Sequence, residues 1–219
     1  MTKKTTIKVF IADDHAIVRA GLKQILAETG DIVVAGEAEN GLDAIKLLRQ
    51  AECQVQCQVM LLDISMPDRS GIEVLKQIKK EWPAVAVLML SMHREDQYAI
   101  RSLKAGAAGY LTKQGAPREL VTAIRQVAAG LKYISAALAQ ELANSVGADR
   151  ELPLHDALSD REYQTLTMIA SGKTVSAIAG ELSLSVKTVS EYRSRLLLKM
   201  KLKNSAELTH YAIRNQLVD

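Results

Sequence analysis

Apolar and polar positions follow two different periods along the first 130 residues of the chain. Five short apolar runs predict strands, over residues 6–12, 32–38, 59–63, 85–91 and 109–113. Segments whose apolar residues recur every three or four positions predict helices, over residues 16–29, 41–50, 71–81, 96–105 and from 117 to about 130. Apolar strands that alternate with helices are typical of a parallel sheet covered on both faces. The pattern predicts the α/β class, with a doubly wound five-stranded parallel sheet.

The strand pattern ends there, and only helical patterns follow. Residues 136–145 have the spacing of an amphipathic helix, and residues 146–153 mix Gly, Pro and charged residues as linkers do. Four further helices are predicted, from the capping box of residues 159–162 to about 171, over 175–182, over 186–200 and after a cap at 204. We therefore predict an α/β domain over 1–130, a linker with a helix over 131–155 and an all-α domain over 156–219.

Composition narrows the class of protein. Of the 219 residues, 48% are hydrophobic and 24% are charged, as in ordinary globular domains. No apolar run reaches the roughly 18 residues of a membrane span, and the first residues do not resemble a signal peptide, so we expect a cytoplasmic protein without a membrane partner. Cys53 and Cys57 could form a redox pair, but two ordinary thiols are the interpretation that we favour.

The polar residues that close the predicted strands carry the candidate chemistry. They are Asp13, Asp14, Asp63, Ser91 and Lys113. Because ligands of such sheets bind beyond the carboxyl ends of the strands, we expect these side chains to meet at one edge. Carboxylates suit Mg²⁺, and an aspartate beside the metal can attack a phosphoryl group while a hydroxyl and an amine bind its oxygens. Singly, each residue is also a common turn former.

The third helix of the all-α domain lies in a basic stripe. Residues 186–203 hold six basic residues against the single acid Glu191, although the net charge of the whole chain is only +3. The basic residues are Lys187, Arg193, Arg195, Lys199, Lys201 and Lys203. At 100° per residue, Val189, Leu196 and Met200 fall on one side of the helix. A short helix, a tight turn and this longer helix describe a helix-turn-helix, whose second helix enters the major groove.

The other side of that helix offers candidate DNA contacts. Lys187 and Arg195 suit phosphates or guanine, and Glu191 could accept from cytosine. Ser190 and Ser194 are short enough for close approach to DNA. From periodicity alone, a solvated charged helix is the simpler interpretation.

The first 130 residues resemble the receiver domains of response regulators. The matching segments are Val9-Phe-Ile-Ala-Asp-Asp-His15, Leu61-Leu-Asp-Ile-Ser-Met-Pro67 with Ser70-Gly71, Val87-Leu-Met-Leu-Ser91 and Ala105-Gly-Ala-Ala-Gly-Tyr-Leu-Thr-Lys113. The resemblance implies a flavodoxin-like fold and identifies Asp63 as the phosphoacceptor. It implies that Asp14 binds Mg²⁺ directly, Asp13 mainly through water and Ser65 through its backbone carbonyl. Ser91 and Tyr110 match the switch pair of the family, and Lys113 matches its pocket lysine.

The chain departs from the receiver pattern at a few positions. Gln114 stands where many receivers have a proline after the lysine, and residues 52–58 replace a Pro-Asp pair that often precedes the phosphoacceptor strand. His15 could be a metal ligand or a base, but a surface neighbour of the carboxylates is the interpretation that we favour.

Residues 156–217 resemble the LuxR-type helix-turn-helix. The matching segments are Leu158-Ser-Asp-Arg-Glu162, Ala170-Ser-Gly-Lys173, Ile178-Ala179, Leu184-Ser185 and Lys187-Thr-Val189, which adds Thr188 to the candidate DNA contacts. With the receiver, the chain is similar to response regulators of the NarL/FixJ class. The resemblance implies a sensor histidine kinase as partner, binding to double-stranded DNA at an inverted repeat, and a homodimer when phosphorylated.

Two other functions remain as alternatives to a transcription factor switched by phosphorylation. A magnesium-dependent phosphatase also uses an aspartyl phosphate, but such enzymes place an acid two residues after the nucleophile, where this chain has Ser65. We therefore do not expect an enzyme. DNA binding could also be constitutive, with the acidic residues unused. The presence of all the pocket residues argues against that alternative.

Overall fold

Five parallel strands form one sheet in the order β2-β1-β3-β4-β5. The computed structural model describes residues 6–50, 57–92, 97–115, 117–135, 138–140 and 153–218. The strands are β1 (Ile7–Ala12), β2 (Ile32–Ala38), β3 (Val59–Asp63), β4 (Ala86–Ser91) and β5 (Gly109–Thr112). All five predicted strands are present and their ends agree with the prediction to within one residue, so the predicted parallel sheet is confirmed.

The strand order reverses direction between β1 and β3. The chain runs from β1 outward to β2, then returns to β3 on the other side of β1, where Ala12 pairs with Leu62. In open α/β sheets, the crevice beyond the carboxyl ends of two such strands is where ligands bind. Asp13 follows β1 directly and Asp63 ends β3, so two of the predicted site residues flank this crevice.

In the described part of this α/β unit, five helices alternate with the strands and cover the sheet. They are α1 (Ala16–Ala27), α2 (Gly41–Arg49), α3 (Gly71–Glu81), α4 (Gln97–Lys104) and α5 (Pro117–Ala128). Leu26 of α1 and Ile124 of α5 share one buried cluster with Val9, Leu61 and Leu88 of the sheet. Neighbouring strand residues point to opposite faces, and β1, β3, β4 and β5 are mostly buried, so the other face of the sheet is covered as well over these strands. The edge strand β2 is only partly buried.

The chain after α5 turns back along the outer edge of β5. The backbone N–H of Tyr133 donates to the carbonyl of Ala108 at 2.9 Å, and Tyr133 forms a parallel bridge with Gly109. Its hydroxyl donates to Glu119 of α5 at 3.0 Å. This segment belongs to the predicted linker, and its first residues thus extend the packing of the α/β unit.

The second part of the chain is helical. A 3₁₀ turn (Leu154–Ala157) precedes α6 (Asp160–Ala170), α7 (Val175–Glu181), α8 (Val186–Met200) and α9 (Ser205–Arg214). The predicted capping box is present at α6, where Ser159 and Glu162 bond reciprocally. Ser185 caps α8 and Asn204 caps α9 through side-chain oxygens. His155 is buried in the 3₁₀ turn and its Nδ1 lies 2.9 Å from the hydroxyl of Tyr211.

The chain divides into two units, Met1–Val146 and Gly147–Asp219. Most of the helix predicted over 136–145, the Gly- and Pro-containing stretch that follows it and Cys53 lie outside the described residues. Cys57 is buried just before β3. Among the described residues, no helix is long and apolar enough to cross a membrane.

Candidate functional site

Three carboxylates meet at the crevice between β1 and β3. Side-chain ligand atoms of Asp13, Asp14, His15 and Asp63 all lie within 4.8 Å of one another. Asp13 is fully buried and Asp63 is 1% exposed, whereas the Asp14 side chain is 28% exposed. Burying two carboxylates side by side is costly unless cations or hydrogen bonds compensate them. Such an arrangement is typical of a functional site rather than of a stabilising core.

Backbone hydrogen bonds beyond the strand ends hold the loops that carry these side chains. The N–H of Asp13 donates to the carbonyl of Ala38 at 3.2 Å. The N–H of Ile64, which follows Asp63, donates to Leu90 at 3.1 Å. The sheet pattern therefore continues one residue past β1 and β3, and the carboxylates project from backbone that is already fixed.

Lys113 neutralises part of the pocket. Its Nζ lies 2.7 Å from Asp13 Oδ2 and 3.0 Å from Asp63 Oδ2, and its side chain is only 4% exposed. The backbone N–H of Lys113 donates to the carbonyl of Ser91 at 2.7 Å, which anchors the residue beside β4. The predicted convergence of the lysine and the aspartates on one sheet edge is thus found in the structure.

The charge balance of the pocket perturbs its protonation. Burial, together with the neighbouring carboxylates of Asp13 and Asp14, raises the pKa of Asp63 to about 6 against the opposing effect of Lys113. Burial lowers the pKa of Lys113, but the two carboxylates that it contacts outweigh burial and raise the pKa above its ordinary value. Among the described residues, the three carboxylates of the pocket therefore carry more negative charge than the ammonium group of Lys113 compensates.

The donor set fits a hard divalent cation. Asp13, Asp14 and Asp63 offer carboxylate oxygens at one place, and Mg²⁺ is bound in proteins by one or two carboxylates together with water and phosphate oxygens. A cation would also compensate for the burial and the neighbouring carboxylates that together raise the pKa of Asp63. The same residues thus provide both the ligands and the electrostatic reason for binding the ion.

His15 lies at the rim of the pocket. Its Nδ1 is 2.8 Å from Asp14 Oδ1 and 3.3 Å from Asp13 Oδ1, and its side chain is 59% exposed. Its backbone N–H donates to Asp13 Oδ1 at 2.9 Å. The exposed ring fits the interpretation of a neighbour that hydrogen-bonds the carboxylates, and its place near the cluster leaves the metal-ligand alternative open.

The remaining predicted receiver residues differ in their burial. Ser91 ends β4 and is 1% exposed, and Tyr110 of β5 is fully buried. Ser65 lies in the turn directly after Asp63, with its side chain exposed. Both Ser91 and Tyr110 are engaged in contacts within the fold, so any movement of this pair would have to exchange existing contacts for new ones.

Gly71 has a role that the sequence pattern did not indicate. A Cβ atom at this position would lie 2.0 Å from the carbonyl oxygen of Asp63, and the N–H of Gly71 donates to Ile64 at 2.9 Å. The capping box of Ser70 and Glu73 starts α3 at the same point. The helix therefore packs directly on the backbone of the predicted phosphoacceptor, and only a residue without a side chain fits there. In the sequence, the pair Ser70-Gly71 was the feature that could have indicated this role.

The exposed face of α8 agrees with the predicted DNA-contacting side. Val189, Leu196 and Met200 are buried, as predicted from the helical spacing. The opposite face presents Lys187, Ser190, Glu191, Ser194 and Arg195, with Thr188 at the first turn. Glu191 and Arg195 lie 3.6 Å apart as an i,i+4 pair, and their side chains are 51% and 61% exposed. This face is therefore accessible and carries both hydrogen-bond donors and acceptors.

Two basic residues of the stripe are paired with neighbouring helices instead. Lys199 Nζ lies 2.6 Å from Glu162 of α6, and Arg193 Nε donates to Ser205 of α9 at 2.9 Å. Neither contact could be read from the helical spacing, because both partners lie on other helices. The number of basic residues in the stripe thus overstates the charge that its outer face presents.

Both parts of the chain match known protein families. Residues 9–125 match the family described as "Response regulator receiver domain", and residues 156–212 match "Bacterial regulatory proteins, luxR family". The chain is 41% identical to "Response regulator UvrY" of Escherichia coli over 212 residues, which cover 96% of this chain and 95% of the relative. It is 39% identical to "Response regulator GacA" of Pseudomonas aeruginosa over 214 residues, 97% and 98% of the two chains.

Solved structures of one response regulator, RcsB, have the same architecture. A structure of RcsB from Salmonella typhimurium matches with a TM-score of 0.68 at 28% identity, covering 94% of this chain and 96% of that chain. RcsB from Salmonella enterica serovar Typhimurium bound to promoter rprA in the presence of the phosphomimetic BeF₃⁻ matches with a TM-score of 0.65 at 28% identity, covering 94% and 98%.

Proposed function

The chain belongs to the response regulators that join a receiver domain to a LuxR-type DNA-binding domain, and from this premise we propose that phosphorylation of Asp63 controls its binding to DNA. We assign residues 1–130 to the receiver, 131–155 to the linker and 156–219 to the DNA-binding domain. The observation that carries the proposal is the buried carboxylate of Asp63, 3.0 Å from Lys113 and beside Asp13 and Asp14.

Phosphoryl transfer to Asp63 needs its ionised carboxylate. A carboxylate oxygen attacks the phosphorus of a phosphohistidine on a sensor histidine kinase, the phosphorus–nitrogen bond breaks, and an acyl phosphate forms on Asp63. Lys113 is placed to bind an oxygen of the new phosphate, since it already contacts Asp63. The chemistry transfers one group to the protein itself, so we do not class the chain as an enzyme with an external substrate.

Magnesium is the proposed cofactor of this transfer. Asp13, Asp14 and Asp63 would supply side-chain ligands. Asp14 would bind directly and Asp13 mainly through water, and Ser65 would supply its backbone carbonyl. The ion would neutralise charge on the phosphoryl oxygens. Lys113, which contacts Asp13 and Asp63, would then pair with the transferred phosphate.

The switch that follows phosphorylation is proposed to involve Ser91 and Tyr110. The Ser91 hydroxyl moves toward the phosphate and the Tyr110 ring takes a new position, which changes a distant face of the receiver. Both side chains are buried on the neighbouring strands β4 and β5, which supports a coupled movement. The changed face then favours one arrangement of the molecule over another, as any population shift requires.

The output is binding of α8 to double-stranded DNA. Its six proposed contacts are Lys187, Thr188, Ser190, Glu191, Ser194 and Arg195. We propose that the phosphorylated protein acts in the cytoplasm and binds an inverted-repeat site as a homodimer. The two-fold symmetry of such a site matches that of the dimer. The neighbouring RcsB structure with promoter rprA supports DNA as the partner.

The experiment compares the wild type with Asp63→Asn and Asp68→Asn in the full-length protein. Asp68 lies five residues downstream in the same loop, is exposed and has φ 64°, a conformation that Asn tolerates. Each protein is incubated with Mg²⁺ and a small acyl phosphate, and its covalent mass and its mass in solution are measured. We expect one added phosphate and dimer formation for the wild type and Asp68→Asn, and neither for Asp63→Asn.

DNA binding is measured on duplexes enriched from a random library by the wild type in BeF₃⁻. Tighter binding in BeF₃⁻ by the wild type, with no such change in Asp63→Asn, supports the proposed switch. Equal affinity with and without the phosphomimetic would instead establish constitutive DNA binding. Repeated release of phosphate from an external phosphomonoester would establish the phosphatase alternative.

A further inference from the structure

Arg19 of α1 is a buried arginine close to the acidic pocket. Its side chain is 8% exposed, which is uncommon for arginine unless its donors have partners. Nη1 donates to the backbone carbonyl of Asp13 at 2.8 Å, Nη2 to Glu39 at 2.6 Å and Nε to Glu37 at 3.4 Å. The guanidinium thus joins the end of β1 to the end of β2 and the residue that follows it.

The contact with Asp13 fixes the peptide between the two adjacent aspartates. The carbonyl that accepts from Arg19 belongs to the same peptide plane as the N–H of Asp14. The N–H of Asp13 is already bonded to the carbonyl of Ala38 at 3.2 Å. Both backbone groups of Asp13 are therefore held, one by β2 and one by Arg19, where the chain leaves the sheet and turns into α1.

The carboxylates around Arg19 hold the guanidinium in this orientation. Glu37 also pairs with Lys23 at 2.9 Å, and the hydrogen bonds and charges of Lys23 and Arg19 keep the pKa of Glu37 below its ordinary value despite some burial. Glu39 is 74% exposed, so its ion pair contributes little energy by itself. What the two glutamates supply is direction, since the planar fork of arginine can bond three acceptors only in one plane.

We propose that Arg19 is a positioning residue for the magnesium ion, which it serves by fixing the Asp13–Asp14 peptide and hence the directions of both carboxylates. The inference rests on the proposed function of the pocket. Magnesium demands near-ideal octahedral geometry, so its affinity is sensitive to small rotations of its ligands. Groups that orient metal ligands without touching the metal contribute about tenfold or more to affinity in other metalloproteins.

A purely structural role would give a different result from a positioning role. An anchor between α1 and β2 would change the free energy of unfolding without changing how the folded protein binds the ion. A positioning residue changes the affinity of the folded protein for Mg²⁺. The two roles are therefore separated by measuring binding and unfolding on the same variants, in the absence of any phosphodonor.

The test uses the full-length, unphosphorylated protein as wild type, Arg19→Met, Arg19→Lys and Arg125→Met. Arg125 is the matched control, since it also pairs with a carboxylate. Its Nε and Nη2 donate to Asp31 at 3.0 and 2.8 Å, and this pair is not part of the acidic pocket. Mg²⁺ affinity is measured by titration of the backbone amide signals of Asp14 and His15. We expect Arg19→Met to bind Mg²⁺ about tenfold more weakly, Arg19→Lys to recover part of the loss and Arg125→Met to bind as the wild type does.

Each outcome bears on one of the two proposals. A wild type that does not bind Mg²⁺ contradicts the proposed function. A wild type that binds, with Arg19→Met binding equally well, overturns the role of Arg19 whatever happens to stability. Should Arg19→Met fail to fold, Glu39→Gln is the second variant, since it removes only the charge of an exposed partner of the guanidinium. We expect Glu39→Gln to bind Mg²⁺ about twofold more weakly, a loss in the range of one exposed ion pair. Unchanged affinity in Glu39→Gln would then count against the role.

Discussion

Lys199 Nζ of α8, the helix proposed to contact DNA, lies 2.6 Å from the carboxylate of Glu162, the residue that completes the capping box of α6. Glu162 is 3% exposed. Burial raises its pKa, but the hydrogen bonds from Lys199 and Ser159 outweigh burial and keep the pKa below its ordinary value. One carboxylate therefore caps one helix and pairs with another, so Lys199 contributes to the fold of the DNA-binding unit although its side chain is 42% exposed.

The first prediction follows from this pair. Lys199→Met leaves the buried carboxylate of Glu162 without its cation, and we expect a loss of about 1–3 kcal/mol in the free energy of unfolding of this unit. Hydrogen exchange of the α6 and α8 amides in the full-length protein measures the loss. A depressed pKa supplies stability above the unfolded value and loses it as the pH falls through the folded value, so the difference between the proteins should shrink in acid.

The second prediction is the reverse phenotype in Lys187→Met. Lys187 is exposed at the start of α8. We therefore expect the free energy of unfolding of Lys187→Met to stay within about 0.5 kcal/mol of the wild-type value. Loss of a phosphate contact should weaken binding to all duplexes alike and lower the slope of log affinity against log salt by about 1. Lys199→Met should keep the wild-type slope at a temperature where it is folded. A lowered slope in Lys199→Met, with none in Lys187→Met, would contradict the assignment of faces.

Sequence periodicity was sufficient to predict the fold because nearly every element carries its own pattern. The strands other than β2 are mostly buried and are largely apolar, and β3, Val59–Asp63, was predicted to the residue. The pocket was also predictable, because Asp13, Asp63 and Lys113 each follow or end a parallel strand and such ends share one edge. The parallel topology alone therefore predicts that these three residues are close together, and no side-chain contact has to be known.

Contacts between side chains of different elements carry no such pattern. Lys199 and Glu162 are 37 residues apart, and nothing in the spacing of α8 distinguishes a lysine that pairs inward from one that faces solvent. The bond from Arg19 to the carbonyl of Asp13 was equally invisible, since a backbone acceptor leaves no trace in the sequence. Tyr133 pairs with Gly109 in a segment without strand periodicity, where tertiary packing decides the conformation.

The third prediction contrasts two glycines under the same substitution. Gly180 lies inside α7, and outside its chain neighbours and the backbone of its own helix no atom lies within 4 Å of the place that an alanine methyl group would take. Gly180→Ala should therefore stabilise the DNA-binding unit by about 0.5–1 kcal/mol. In Gly71→Ala the new methyl would meet backbone atoms of Asp63 at 2.0 Å, and we expect a loss of about 1–3 kcal/mol together with slower phosphorylation. Denaturant unfolding and the phosphorylation rate check both; a neutral Gly71→Ala would contradict the proposed close packing.

The fourth prediction concerns the charge of Asp63. Its pKa is raised from an ordinary 3.8 to about 6, so ionising it costs the folded protein on the order of 2–3 kcal/mol. Asp63→Asn should therefore be more stable than the wild type by about this amount at a pH of about 7.5 without Mg²⁺. Fluorescence of Trp82, the single tryptophan, reports unfolding of the receiver in denaturant.

The pH dependence separates charge from packing in this variant. Below a pH of about 3 the carboxyl of Asp63 is largely protonated in both folded and unfolded wild type, so the two proteins should be about equally stable. As the pH rises from about 4 to 6, the unfolded chain releases the proton while the folded protein keeps it, and wild-type stability falls relative to Asp63→Asn. Saturating Mg²⁺ should narrow the difference at a pH of about 7.5, because the ion compensates the carboxylate and stabilises the folded state that binds it. The stability difference between the two proteins could instead stay constant from a pH of about 4 to about 8 and be unaffected by Mg²⁺. In that case the amide would pack better than the carboxylate, and the charge of Asp63 would not be what destabilises the wild type.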